Sequence, residues 1–351
     1  MELKSLELRN FRSYSKAKFS FDPKTTLIVG PNGSGKTNIL EALGMLSAGR
    51  TFRGRFDREV IRHGKTYADV FGVTSDNELS VVVQERGDNQ YSSQKLYKVN
   101  NVPKHISGFV GNLRSVIFRP EDIDLLVDGP AVRRRYLDDA LSQVDGAYSK
   151  SLSNYGKIVT RRNHLLADDT RSSTQLLQEL EYWNQELLSF GTVIQEKRQA
   201  FIAELNHDLP QVVNDLLGGL LTDLQINYLP NRLNKERLLS HEAAELASHI
   251  TLIGPHRDDW KLLESDYDLS LFGSRGQQRT GVLALKLFEL DYISMKVGER
   301  PLLLLDDVFS ELDDVHQEAV LATIGKQQTI LTATHVPEFR ELKYCQRIHT
   351  T

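Results

Sequence analysis

Gly30-Pro31-Asn32-Gly33-Ser34-Gly35-Lys36-Thr37 stands between a short apolar run, Thr25-Thr26-Leu27-Ile28-Val29, and a helix-like stretch, Asn38-Ile39-Leu40-Glu41-Ala42-Leu43. A buried strand, a glycine-rich octet closing on lysine and threonine, and then a helix make the full phosphate-loop pattern in the context it requires. The glycines let successive backbone N–H groups turn toward phosphate oxygens, and the helix start adds the positive end of its dipole. Lys36 neutralises β- and γ-phosphate oxygens, and the Thr37 hydroxyl ligates magnesium. A glycine-rich turn with no ligand would leave the lysine and threonine unexplained. The octet, with Asn38 beyond it, predicts an α/β fold that takes ATP and Mg2+.

Such a loop needs a carboxylate on another strand of the same sheet. Leu302-Leu303-Leu304-Leu305 ends in Asp306-Asp307, which puts two acids at the carboxyl edge of a parallel sheet, where ligands of open α/β folds bind. Asp306 is the expected magnesium-side acid, with Thr37. Asp307 is placed to polarise an attacking water as general base. The bland alternative is a pair of solvated loop acids. The two halves of the site are separated by most of the chain, unlike the layout of a simple GTPase.

Upstream of the acidic strand, Ser274-Arg275-Gly276-Gln277-Gln278-Arg279 precedes Val282, Leu283, Leu285, Phe288, Leu290 and Ile293 at helical spacing. A small-residue turn opening a helix is an anion site, and it is equally an ordinary N-cap. Ser310-Glu311-Leu312-Asp313 forms a polar loop after the acids. His335 follows a strand ending near Thr332-Ala333-Thr334; a structural role and a contact with the γ-phosphate both stay open.

Alternating residues from Leu3 to Phe21, and again near Val70 and from Leu79 to Val83, predict a β-rich start, with Gly87-Asp88-Asn89 as a hairpin turn. No proline occurs between positions 130 and 210, and Leu176, Leu177, Leu180, Trp183, Leu187 and Leu188 repeat at helical spacing. The expected division is an ATPase N-lobe over 1–125, a helical insertion over 126–245, and a C-lobe over 246–351. Allowing for turns, each inserted helix would hold at most about 30 residues, roughly 45 Å. That is an arm or lobe, too short for a long coiled coil.

At 351 residues, 40% apolar and 26% charged, the composition is that of a globular chain. No apolar run approaches the roughly 20 residues that span a bilayer, and the start has no secretory pattern, so a cytoplasmic protein is expected. The single cysteine, Cys345, cannot form an internal disulfide. A net charge of -4 excludes a general nucleic-acid binder and leaves local patches. Arg50, Arg53, Arg55, Arg58, Arg62 and Lys65 against Asp57 and Glu59 make the first candidate for DNA phosphates. The same segment reads equally as balanced ion pairs or as support for the nucleotide site. Arg133-Arg134-Arg135 and Arg161-Arg162 are second choices. Aromatic residues do not interleave with these runs, which favours duplex backbone over stacked single strands.

Taken in order, these motifs resemble the ABC-type ATPases of DNA metabolism in the SMC-like superfamily, and within them the RecF family. The likeness is carried by Leu8-Arg9-Asn10-Phe11-Arg12-Ser13-Tyr14, the phosphate loop and its continuation, and Phe118-Arg119-Pro120-Glu121-Asp122. It also rests on Gly129-Pro130 with Arg133-Arg134 and Leu137-Asp138, on Gly254-Pro255-His256-Arg257-Asp258-Asp259, on the run from Ser274, and on the acidic strand. The resemblance covers nearly the whole chain. It implies an ABC-ATPase head, a phosphate-loop sheet with added antiparallel strands, joined to a mainly helical second domain. It implies ATP-dependent homodimerisation, with each nucleotide between one subunit's phosphate loop and the other's Ser274, Arg275, Gly276, Gln277 and Gln278. Arg12 and Ser13 would reach the nucleotide. Such proteins bind double-stranded or gapped DNA, act with RecO/RecR-type mediator proteins, and load recombinase. Asp307 stands where many ABC proteins have glutamate, a shorter base suited to slow hydrolysis. The coupling glutamine has no match, and Glu121 or Asp122 stands nearest its place. A transporter ATPase subunit shares the nucleotide chemistry, but the helical insert and the Asn10-Phe11-Arg12 start speak against it.

Overall fold

A computed structural model describes residues 2–54, 56–87, 93–168, 173–217, 221, 223–310, 312–337, 339, 342–343 and 345–350. Arg55, Asp88, Asn89 and Glu311 lie outside the described residues. The chain divides into two compact units. The first comprises Met1–Asp122, Asp215–Gly218 and Val282–Thr351, the second Ile123–Asn214 and Gly219–Gly281.

The first unit is built on two sheets. Strands β1 (Leu3–Phe11), β2 (Tyr14–Ser20), β4 (Tyr67–Thr74), β5 (Glu78–Glu85), β6 (Ser93–Val99) and β7 (Val102–Lys104) form an antiparallel sheet in the order β2-β1-β4-β5-β6-β7. Strands β3 (Thr25–Val29), β8 (Ser115–Phe118), β12 (Leu302–Asp306), β13 (Thr329–Ala333) and β14 (Gln346–His349) form a parallel sheet in the order β14-β3-β13-β12-β8. Alternation decides the first sheet: β4 shows half-buried and buried residues in turn, so one face is inward. Continuous burial marks the second, because every residue of β3, β12 and β13 is buried. The helix Lys36–Ala48 leaves β3 and touches strands of both sheets. Its Ile39, Leu40, Leu43, Met45 and Leu46 join Leu6, Leu8, Val70 and Val81 on one side and Ile28, Leu304 and Ile330 on the other in one core. A helix apolar all round must be buried all round, and here two sheets do it.

The second unit contains the helices Pro130–Val144, Gly146–Leu166 and Lys235–Ser248, most of Ser173–Leu217, and a three-stranded sheet ordered β11-β10-β9, where β9 is Leu224–Leu229, β10 Asp259–Glu264 and β11 Tyr267–Asp268. The expected ceiling of about 30 residues per helix is overturned. Ser173–Leu217 is one helix of 45 residues, about 68 Å long at 1.5 Å per residue. It contains Gly191, whose missing Cβ makes room for Leu233 and Tyr155. It also passes Pro210, which removes a backbone donor without ending the helix. Residues 246–281, assigned to the C-lobe from sequence, belong to the second compact unit because β10 pairs antiparallel with β9.

This unit also buries a polar cluster. Arg198, 2% exposed, donates to Asp258 Oδ2 at 2.8 Å, Asp138 Oδ1 at 2.8 Å, the Pro255 carbonyl at 2.8 Å and the Tyr148 hydroxyl at 3.0 Å. Asp258, fully buried, also accepts from Tyr228, Gln195 and the Asn231 N–H. Arg162 meets Glu245, Asn184 and Thr251, Arg133 grips Asp259 with two bonds, and Arg135 pairs with Asp139. Two sequence motifs, around positions 133–139 and 254–259, thus supply structural ion pairs. Among the second-choice DNA contacts, Arg162 is buried and Arg133 is spent on its own unit.

Candidate nucleotide site

The octet leaves β3 and becomes the helix Lys36–Ala48 at Gly35. Gly33 and Gly35 have φ of 82° and 96°, a left-handed backbone that costs residues with a Cβ about 1–2 kcal/mol. Gly35 is also enclosed by Tyr14 and Ser13, so a side chain has neither the torsion nor the space. Lys36 is 7% exposed and its ammonium donates to the Gly30 carbonyl at 2.7 Å and the Pro31 carbonyl at 3.0 Å. The cation is therefore bonded to the loop's own backbone, which can exchange those oxygens for phosphate oxygens.

β13 lies between β3 and β12, and the register pairs Thr332 with Ile28 on one side and with Asp306 on the other. That brings the acid to the phosphate loop. Thr37 Oγ1 donates to Asp306 Oδ1 at 2.9 Å, across 269 positions of sequence, and Thr332 Oγ1 donates to the same oxygen at 2.8 Å. Burial raises the Asp306 carboxyl above its ordinary value, while the two hydroxyl bonds and Arg53 pull it back. The next residue, Asp307, is half-buried and has φ of 50°. Aspartate is one of the few non-glycine residues that adopt this left-handed region readily. Its N–H donates to Thr332 Oγ1 at 3.0 Å.

The surrounding residues sort themselves by partner. Arg12 grips buried Glu41 through Nε at 2.9 Å and a terminal nitrogen at 2.6 Å, and donates to the Glu59 carbonyl at 2.7 Å. Ser13 Oγ accepts from Asn38 Nδ2 at 3.0 Å, and Arg53 donates to Asn38 Oδ1 at 3.2 Å. Arg62 donates to the Ser13 carbonyl, and Arg58 pairs with Glu85. Arg50 is half-buried and Lys65 exposed. Of the cationic segment, Arg53, Arg58 and Arg62 are engaged within the first unit. Asp122 binds Arg119 through side chain and backbone N–H, at 2.9–3.1 Å. Glu121 is exposed and its charge reaches Asp306, since β8 runs beside β12 in the register Leu305 to Phe118.

The run from Ser274 lies in the second unit up to Gly281, and the helix Arg275–Val297 begins inside it. Ser274 and Gln277 make reciprocal bonds, the Gln277 N–H to Ser274 Oγ at 3.3 Å and the Ser274 N–H to Gln277 Oε1 at 2.9 Å. This is a capping box, the ordinary N-cap of the sequence reading. It leaves Ser274, Arg275, Gly276 and Gln277 exposed, whereas Gln278 is buried against the Leu269 carbonyl. His335 is exposed just after β13. Asp313 caps the helix Asp314–Leu321. One neighbour escaped sequence reading: Thr350, beyond β14, whose Oγ1 lies 2.7 Å from Ser34 Oγ. Nothing local marks it, because it reaches the loop through the pairing of β14 with β3.

A phosphate loop on a parallel sheet, an acidic strand bonded to it, an added antiparallel sheet and a mainly helical second unit define an ABC-type ATPase head. The RecF/RecN/SMC N terminal domain model matches residues 2–350. DNA replication and repair protein RecF of Lachnospira eligens is 36% identical over 97% of this chain and 94% of its own length. RecF of Bacillus thuringiensis strain Al Hakam is 36% identical over 100% and 97%. A solved structure of the recombination mediator protein RecF-ATP in the RecFOR pathway superposes with a TM-score of 0.83 at 32% identity, covering 97% of this chain and 93% of that one. The chain belongs to the RecF family. Among the described residues, no helix is long and apolar enough to cross a membrane.

Proposed function

We propose that this chain is an ATP-switched DNA-binding protein of recombinational repair and replication restart, a slow ATPase working in the cytoplasm. The observation that carries the nucleotide half is the 2.9 Å bond from Thr37 to Asp306, which joins two motifs at opposite ends of the chain. The DNA half rests on family membership and on relatives named for DNA replication and repair.

ATP would lie along the octet, with Lys36 on the β- and γ-phosphates and the helix N-terminus behind them. Thr37 and Asp306 offer the hard oxygen donors that magnesium prefers and would hold the ion. Magnesium would neutralise charge on the phosphates. Asp307 would take the proton of the attacking water. The exposed Ser274, Arg275, Gly276 and Gln277 would meet the nucleotide of a second copy, giving an isologous dimer with two equal sites, and hydrolysis would release it. Gapped or double-stranded DNA, RecO/RecR-type mediators and recombinase loading complete the proposal.

The test is fluorescence anisotropy of a labelled gapped duplex at fixed salt, with and without ATP-magnesium, alongside Lys36→Ala. Tighter DNA binding that needs both ATP and Lys36 supports the switch. DNA binding absent in every state sinks the DNA half and leaves an ATPase acting on another partner.

A further inference from the structure

Gly30 has an unremarkable φ, so conformation does not demand glycine there. Space does. A Cβ at Gly30 would collide with the Thr350 hydroxyl, and would lie 2.5 Å from the Thr350 carbonyl and 2.8 Å from Ser34 Oγ. Thr350 is held in turn: its N–H donates to the Val29 carbonyl at 2.9 Å, continuing the parallel ladder in which β14 pairs His349 with Val29. Its Oγ1 lies 3.4 Å from the Val29 carbonyl and 2.7 Å from Ser34 Oγ. Ser34 sits between the two left-handed glycines, and its N–H donates to the Pro31 carbonyl at 3.2 Å. The most pliable part of the octet is thus tied at its middle by a hydroxyl from β14's end.

We infer that Thr350 is a positioning residue for the phosphate loop, its hydroxyl holding Ser34 and its backbone confining Gly30 so that the loop's N–H groups are set before an anion arrives. This rests on the nucleotide reading above. Glycines that permit the turn also give the free loop many conformations, and binding must remove them. An anchor outside the octet removes them in advance. Thr350 touches the loop at Ser34, so its effect on affinity runs through Ser34 and vanishes when Ser34 has no hydroxyl.

The experiment titrates a fluorescent ATP analogue with magnesium into the full chain and compares Thr350→Val, Thr350→Ser, Ser34→Ala and the Thr350→Val/Ser34→Ala pair. Loss of one such bond, at about 1 kcal/mol, corresponds to roughly fivefold in Kd. Thr350→Val should weaken binding by about that factor, Thr350→Ser should restore it, and the double variant should be no weaker than either single. Equal affinity of Thr350→Val and wild type overturns the inference, as does a double variant whose loss is the product of the singles. A wild-type chain that fails to bind the analogue defeats the nucleotide reading itself, and the inference with it. Gly30→Ala, whose Cβ would lie 2.5 Å from the Thr350 carbonyl, should lose binding, and binding at the wild-type Kd argues against the confinement.

Discussion

Two buried cations of this molecule, Arg198 and Lys36, are surrounded differently. Around Arg198 the charges face inward: Asp258, Asp138, Tyr148, Tyr228 and the Pro255 carbonyl saturate one another with bonds near 2.5–3.0 Å. Around Lys36 the cation's partners are two carbonyls of its own loop, whose neighbours Asn32 and Gly33 are exposed. A saturated cluster is scaffold. A cation bonded only to a glycine-rich surface loop has somewhere to send its charge when an anion comes. Burial and charge alone would have put both in one class, and partner geometry separates them.

Four substitutions or conditions sharpen that contrast. Asp307→Asn should lower single-turnover ATP hydrolysis by about 10²–10⁴-fold, the usual worth of a general base, while analogue binding stays near wild type. Unchanged hydrolysis would remove Asp307 from the mechanism. Arg198→Met leaves Asp258 and Asp138 facing each other without their cation, which should cost about 3–5 kcal/mol in the denaturant-induced unfolding of the second unit. A loss under 1 kcal/mol in that measurement would mean that the cluster is not the scaffold described. Arg53→Ala should weaken ATP affinity by about three- to tenfold, since one charged hydrogen bond to Asn38 goes; if DNA affinity falls equally without ATP, Arg53 serves DNA binding instead.

The smallest effect is a pH dependence at His256. Its Nδ1 meets the Tyr155 hydroxyl at 2.8 Å and its Nε2 the Thr251 carbonyl at 2.9 Å. Burial first, then the charges of Arg257 and Arg134, hold it below the usual imidazole value, against an opposing pull from the Thr251 bond and Glu245. A histidine with a depressed folded value binds its proton more readily unfolded. Its contribution is therefore complete above about pH 6.5 and is lost as pH falls through the lower folded value. Melting temperatures between pH 7.5 and 5.5 should fall more for the wild type than for His256→Gln, and parallel curves would refute this.

The octet, the strand before it and the acidic strand were legible in the sequence because their chemistry is local. Glycines at 33 and 35 are needed by the backbone torsions at those two positions, and the run from Thr25 to Val29 is buried throughout. Even the partnership of Thr37 with Asp306 could be anticipated, since each motif requires the other. The fate of the arginines could not. Arg58 meets Glu85 across 27 positions and Arg162 meets Glu245 across 83, so whether a cation faces DNA or a carboxylate depends on packing. The same holds for the 45-residue helix, whose length depends on how Gly191 is packed and on a proline that does not end it.

Sequence by itself marked the octet and the acidic strand, because residue type and spacing within each short motif are local. Only the tertiary structure decided which charges remain for partners and that Thr350 reaches Ser34. Strand pairing brings together residues 316 positions apart, and no local pattern records that pairing.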